Sequence, residues 1–251
     1  MRPDRFALVA ASARMVRVDI MPKLAIDTAS DEASIAIVDG GRVLFEHRWR
    51  ITTTASRELL SAIESTIAAA GTTLDALTGI VICTGPGGYG SLRSGVATAQ
   101  GIALGLDVPL AGVGRLELQA FPHLRPDSIV IAVHDAGRMG VAWAAYRACE
   151  LIDDAQSAPP EPIAPPRIDD LDTCMRLAPV GLWCGDLTPA LHAARDAAGR
   201  TGDTDVQSAE NVRSAAHLVR LAELHHAFGD PAAVDVMYLR PPSIGARAAG
   251  T

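Results

Sequence analysis

The chain has 251 residues, 49% hydrophobic and 20% charged, which is enough to bury a sizeable core in one large domain or two smaller lobes. Its formal net charge of -7 leaves it without the basic surface that neutralises nucleic-acid phosphates, so a role on nucleic acid calls for a partner to supply the affinity. No segment approaches the ~18 uninterrupted apolar residues of a membrane span, and Cys83, Cys149, Cys174 and Cys184 lack the C-x-x-C spacing of a zinc or redox site, so they read as buried small hydrophobes of a reducing, cytoplasmic compartment.

Residues 1-20 open with MRPDRFALVAASAR, a basic start, a short apolar run and an Ala11-Ser12-Ala13 triplet that imitate a secretion signal. The run is only about eight residues, at the short limit of that pattern, and the domain is expected to begin at Met21-Pro22-Lys23, with 1-21 a disordered extension. Three strands follow, KLAIDTA, ASIAIVD and RVLFEHRW, the last two joined by a tight turn at Asp39-Gly40-Gly41. Residues 56-71 place Leu59, Leu60, Ile63 and Ile67 at helical spacing, with Gly71 as the stop. The apolar strand LTGIVICTGPGG then runs into a glycine loop, and residues 92-106 form a helix with small residues in rows: Gly95, Ala99 and Ala103, with Ala97, Gly101 and Gly105 beside them. LAGVGRLELQAF adds a strand and a helix.

The second half repeats this plan. DSIVIAVHDAG matches the first strand, GVAWAAYRA and a short strand near PPEPIAP follow, and PVGLWCGDLTP enters a Gly-Asp turn as the counterpart of GIVICTGPG. The Pro-rich run 158-167 is otherwise expected to be a surface connection. AENVRSAAHLVRLAELHHAF reads as an amphipathic helix with Val212, Ala216, Val219 and Ala222 on one stripe, and VDVMYLRPPS as a short final strand. A duplicated strand, strand, strand, helix, strand, helix unit is the plan of the actin-like/Hsp70-like (ASKHA) α/β fold with two lobes, here 22-118 and 119-240, the second including the terminal helix, with 241-251 a tail.

Two turns invite a nucleotide. Asp27 with Thr28-Ala29-Ser30 offers a carboxylate, hydroxyls and N–H groups to a phosphate and its metal, or serves only its own turn. Gly85, Gly87 and Gly88 can point N–H groups at an anion with Arg93 nearby, or give a tight turn and close helix packing. The loop lacks the lysine of a phosphate loop, since no lysine follows its glycines. Ser91 lies outside a G-x-S-x-G elbow, and His134-Asp135 are adjacent on a strand and point to opposite faces. His217, His225 and His226 lack metal-ligand spacing.

LAIDTASDEASIAIV, ICTGPGGYGSLRSGVATAQGIALGLDVPLAGV, DAGRMGVAWAAY and the terminal YLR together resemble the TsaB (YeaZ) family of bacterial tRNA threonylcarbamoyladenosine biosynthesis proteins, over most of residues 22-240. The resemblance implies a protein that is not itself an enzyme but a scaffold and activator of the carbamoyltransferase TsaD. That pair, with the small ATPase TsaE, transfers a threonylcarbamoyl group to the adenosine beside the anticodon of ANN-decoding tRNAs. It further implies no metal or cofactor of the chain's own, ATP used through the partners, tRNA met only within the complex, no membrane, and self-pairing left open when TsaD is absent. The family's partner surface falls on the helices at 56-71 and 91-106, so Leu59, Leu60, Ile63, Leu92, Arg93, Val96, Ala97, Gly101 and Gly105 become interface candidates. Asp27, Thr28, Gly85, Gly87 and Gly88 become a vestigial nucleotide or anion site.

The sequence departs from the family's H-S-E-x-L-L-P at Ala55-Ser56-Arg57-Glu58-Leu59-Leu60-Ser61 and from D-A-R-x-G-E at Asp135-Ala136-Gly137-Arg138-Met139-Gly140-Val141. The alternative is an actin-fold ATP-dependent kinase or hydrolase of small molecules, motivated by the turns at Asp27 and 85-88.

Overall fold

The computed structural model describes residues 21-51, 55-149, 151-152, 155-156 and 158-239, so expectations placed on 1-20, on Arg240 and on the 241-251 tail lie outside the described residues. The first half contains β1 (Lys23–Asp27), β2 (Glu32–Asp39), β3 (Arg42–Arg50), α1 (Ala55–Ala69), β4 (Gly79–Gly85), α2 (Tyr89–Leu106), β5 (Leu110–Gly114) and α3 (Arg115–Ala120). The second contains β6 (Ile129–Asp135), β7 (Val141–Arg147), the short pair β8 (Leu151–Ile152) and β9 (Ala155–Gln156), β10 (Glu161–Asp169), α4 (Leu171–Leu177), β11 (Leu182–Gly185), α5 (Pro189–Ala197), β12 (Thr204–Asp205) and α6 (Ala216–Leu224).

One five-stranded sheet runs β3-β2-β1-β4-β5 and the other β10-β7-β6-β11-β12. In each, a central strand pairs antiparallel with the strand that follows it and parallel with the strand that comes after the next α-helix, α1 or α4. The duplication read from the sequence is therefore present strand for strand, and the chain is a two-lobed α/β protein of actin-like type. β1 and β4 are almost wholly apolar because both faces of the first sheet are covered. Gly95 of α2 lies against the Ile82 face, and Phe228, beyond α6, lies against Gly79 on the opposite face. At the β2-β3 hairpin Asp39 pairs with Arg42, and Gly40 (φ 52) and Gly41 (φ 83) supply the positive dihedrals of a two-residue turn whose twist matches the strands.

Several expectations change. The terminal helix covers only Ala216–Leu224, and its Leu218, Val219, Leu221 and Ala222 join the core of the first lobe with Leu24, Ile37 and Ile80, not the second lobe. α3 follows the last strand of the first sheet and packs on both sheets, on β6, β7 and β11 of the second as well as on β4 and β5 of the first. The helix that follows β12 thus crosses to the first lobe while the one that follows β5 bridges the two, and an apolar stripe alone does not say which sheet it will cover. The run at 158-167 is not simply a connection: Pro162, Pro165 and Pro166 lie within β10, tolerated because it is an edge strand with register shifts at Pro162/Ala164 and Ala164/Arg167. Residues 234-239 form no strand, although Met237 N–H donates to the Thr84 carbonyl at 2.8 Å. Helix α2 begins at Tyr89, earlier than expected, and Cys149 is exposed while Cys83, Cys174 and Cys184 are buried.

Candidate functional site

Between the lobes lies a cavity of about 1310 Å³, reached by Asp27, Arg50 and Gly87 from the first lobe and by His134, Asp135 and Asp186 from the second. The strand ends place these groups: in open α/β sheets the carboxyl ends of parallel strands meet at such a crevice.

Asp27 ends β1 at 1% exposure, and both of its oxygens are engaged. Oδ1 accepts from Ala29 N–H at 2.9 Å and Oδ2 from Arg213 Nε at 2.8 Å, while Arg213 Nη2 donates to Ser30 Oγ at 2.8 Å. Burial works against the Arg213 charge, but the charge and hydrogen bond of Asp27, together with Cys83 and Asp186, outweigh it and its pKa is raised. Thr28 Oγ1 donates to the Ser91 carbonyl at 3.0 Å.

The glycine loop is filled by the same turn. A Cβ on Gly87 would stand 2.0 Å from the Ala29 carbonyl oxygen, and one on Gly95 2.2 Å from Thr28 Oγ1. Gly85 takes φ 103 with Leu92 packed against it, and Gly88 faces Ser91. Glycine here allows the β1-β2 turn and the head of α2 to touch.

Across the cavity, Arg115, 2% exposed at the start of α3, was not singled out from the sequence. Its Nη1 donates to the Ala29 carbonyl at 3.0 Å and lies 3.4 Å from His134 Nε2, and its Nη2 reaches Asp186 at 3.3 Å. His134 Nδ1 is 2.7 Å from Asp186 Oδ2, which also accepts from Asp135 N–H at 3.1 Å. One imidazole tautomer satisfies both contacts, with Nδ1–H donating and Nε2 accepting. His134 therefore pairs with Asp186 in the Gly-Asp turn and not with its neighbour Asp135. Burial alone would raise the Asp186 carboxyl, but the His134 hydrogen bond, the Arg115 charge and the Asp135 N–H outweigh it and hold it at about 2. Burial, with the Arg213 charge added, brings Arg115 down to about 10, against the opposing pull of Asp186 and Asp27.

Asn211 completes the set, donating from Nδ2 to the Gly185 carbonyl at 2.7 Å and accepting from Gly185 N–H at 2.7 Å. The signal that could have revealed Asn211 and Arg213 is that two polar side chains stand just before an otherwise apolar helical stripe. Residues 211-214 lie outside the helix, which begins at Ala216, and the two side chains reach Gly185 of one lobe and Asp27 of the other.

The interface candidates divide by face. Leu59, Ile63, Leu92 and Val96 are buried in the lobe's own core, as are Gly95, Ala99 and Ala103. Leu60 (52% exposed), Arg93, Ala97, Gly101 and Gly105 face outward, joined by Leu104 (62% exposed), and nothing lies within 4 Å of where a Cβ on Gly101 or Gly105 would stand. Arg93 stacks on Tyr89 at 4.2 Å and donates from Nε to Tyr238 Oη at 2.9 Å. Ala55, Ser56 and Arg57 lie on the backbone of α1, their side chains outside what is described.

TsaB of Escherichia coli, a tRNA threonylcarbamoyladenosine biosynthesis protein, is 34% identical over 127 residues, covering 49% of this chain and 54% of that protein. The solved structure of YeaZ from Pseudomonas aeruginosa superposes with a TM-score of 0.68 over 87% of this chain and all of that one, at 21% identity. The chain is similar to TsaB in sequence and to YeaZ in fold. The profile of the TsaD family, described as tRNA N6-adenosine threonylcarbamoyltransferase, also matches, over residues 52–164, which hold α1, the glycine loop, α2 and the passage into the second lobe. The threonylcarbamoyltransferase of Geobacter sp. strain M21 is 33% identical over 110 residues, 38% of this chain and 32% of that one. The chain thus spans about half the length of the TsaB relative and a third of the transferase. Among the described residues, no group of three or more His, Cys, Asp or Glu is placed to hold a metal ion. No described helix is long and apolar enough to cross a membrane.

Proposed function

We propose that this chain acts in tRNA N6-threonylcarbamoyladenosine biosynthesis as a non-catalytic, TsaB-type scaffold, docking and activating a TsaD-like carbamoyltransferase through the outer face of α1 and α2. The observation that carries the reading is the exposed row Ala97, Gly101 and Gly105. Gly101, inside a helix with open space around it, costs about 1 kcal/mol relative to alanine and contributes no local packing. Such a cost is understandable where another backbone must come close, with Leu60 and Leu104 as apolar contacts beside it. ATP chemistry then belongs to the partners, a TsaE-like ATPase among them, and tRNA is met only in the assembly, consistent with the charge of -7.

In a reconstituted mixture of the transferase, the ATPase, tRNA, ATP and threonylcarbamoyl donor, omitting this chain should reduce transfer sharply. Unchanged transfer would refute the proposal. Gly101→Trp should weaken pairing with the transferase at least about tenfold by calorimetry while leaving the free protein's stability within about 0.5 kcal/mol.

The kinase or hydrolase reading draws its support from the 1310 Å³ cavity. Against it stand the engaged oxygens of Asp27 and the closure of Gly87 on Ala29. Micromolar Mg-ATP binding with turnover by the purified chain would favour it.

A further inference from the structure

Lobes joined through a cleft are expected to move relative to one another unless something specific holds them. Two turns face each other across this cleft, 27-30 in the first lobe and 185-186 in the second, and two separate side-chain ties join the same pair. In one, a single guanidinium, Arg115, donates to the Ala29 carbonyl from Nη1 and to the Asp186 carboxylate from Nη2, and Asp186 is itself fixed by His134 and the Asp135 N–H. In the other, Asn211 pairs both of its amide groups with the Gly185 backbone, and two residues later Arg213 holds Asp27 and Ser30. Arg115 and Asp27 are almost out of water, so their partners are not readily exchanged for solvent. The charges also cancel, with Arg115 and Arg213 against Asp186 and Asp27.

We propose that Arg115 and the Asn211/Arg213 strap form a clasp that holds the two lobes at one fixed opening, so that the chain behaves as a single rigid body and not as a hinged pair. The clasp takes up, with the chain's own Arg213, the Asp27 carboxylate that the first-lobe turn would offer to a metal-bound nucleotide, and so opposes closure of the cleft on such a ligand. The proposal stands whether or not the scaffold role is correct, because it concerns motion within this chain alone.

The test is interlobe distance by pulsed electron spin resonance, with labels on Asp75→Cys in the first lobe and Arg176→Cys in the second, both exposed, in a Cys149→Ser background. The otherwise unaltered protein should give one narrow distribution that Mg-ATP does not move. A broad distribution, or a shift on adding Mg-ATP, overturns the clasp. Adding Arg115→Gln with Arg213→Gln should broaden the distribution about twofold, whereas a folded double variant as narrow as its parent also overturns it. Should that variant not fold, Arg115→Lys is the milder change: it keeps the charge but cannot span Ala29 and Asp186 together, and should broaden the distribution to a lesser degree. No broadening in folded Arg115→Lys would count against the clasp.

Discussion

Arg213 and Asp27 are removed from water together, and their value lies in being paired. A buried ion pair repays its desolvation only while both members are present, so truncating one leaves a bare charge in the interior. Arg213→Ala should therefore cost about 3–5 kcal/mol in urea unfolding. Adding Asp27→Asn to that variant should recover a substantial part of the loss, since the stranded carboxylate goes with it. If the double variant is no more stable than Arg213→Ala, the pair does not carry the effect. Asp27 could be seen in the sequence as a carboxylate at a strand end. Its partner lies 186 residues away, and nothing local at Arg213 announces the pairing.

At the scale of elements, the glycines of the loop and of α2 look alike in sequence but face different surroundings. Gly87→Ala should destabilise by about 1–3 kcal/mol, because the added methyl meets a backbone carbonyl that cannot move aside without shifting the β1-β2 turn. Gly101→Ala should do the opposite and stabilise the free chain by about 0.5–1 kcal/mol, because it sits in open space in the interior of a helix. Thermal unfolding of the two variants distinguishes them, and a shift of the same sign in both would remove the distinction. The rows of small residues on α2 were legible from spacing. Which row faces the sheet was not, because glycine and alanine carry too little apolar contrast to mark a face. The crossing of α6 to the first lobe was hidden for a similar reason: it is amphipathic, and either sheet could accept its stripe.

For the whole molecule, Asp186 joins the interlobe contacts to pH. Its carboxyl is held at about 2, below the ordinary 3.8, so the stability it contributes is complete above pH 3.8 and is lost as pH falls from there towards about 2. Asp186→Asn should flatten the acid-unfolding curve in that window and leave its shape near neutrality unaltered. A parent-like loss of stability between pH 3.8 and 2 in the variant would show that another carboxylate governs acid sensitivity. The second lobe's short turn at Gly185-Asp186 thus takes part in joining the lobes, which its resemblance to the glycine loop of the first did not suggest.

The sequence by itself determined the duplicated strand plan, the hairpin at Asp39-Gly40-Gly41, the covered central strands and the two first-lobe helices, one of them carrying rows of small residues. Each of these is set by periodicity, turn chemistry and burial over a few neighbouring positions. Only the tertiary structure decided that the terminal helix belongs to the first lobe, that the prolines of β10 sit in an edge strand, and that Arg115, His134, Asp186, Asn211 and Arg213 converge on two turns. Those outcomes depend on pairings between distant residues, and a charge or an apolar stripe specifies the kind of partner it needs without specifying where along the chain that partner lies.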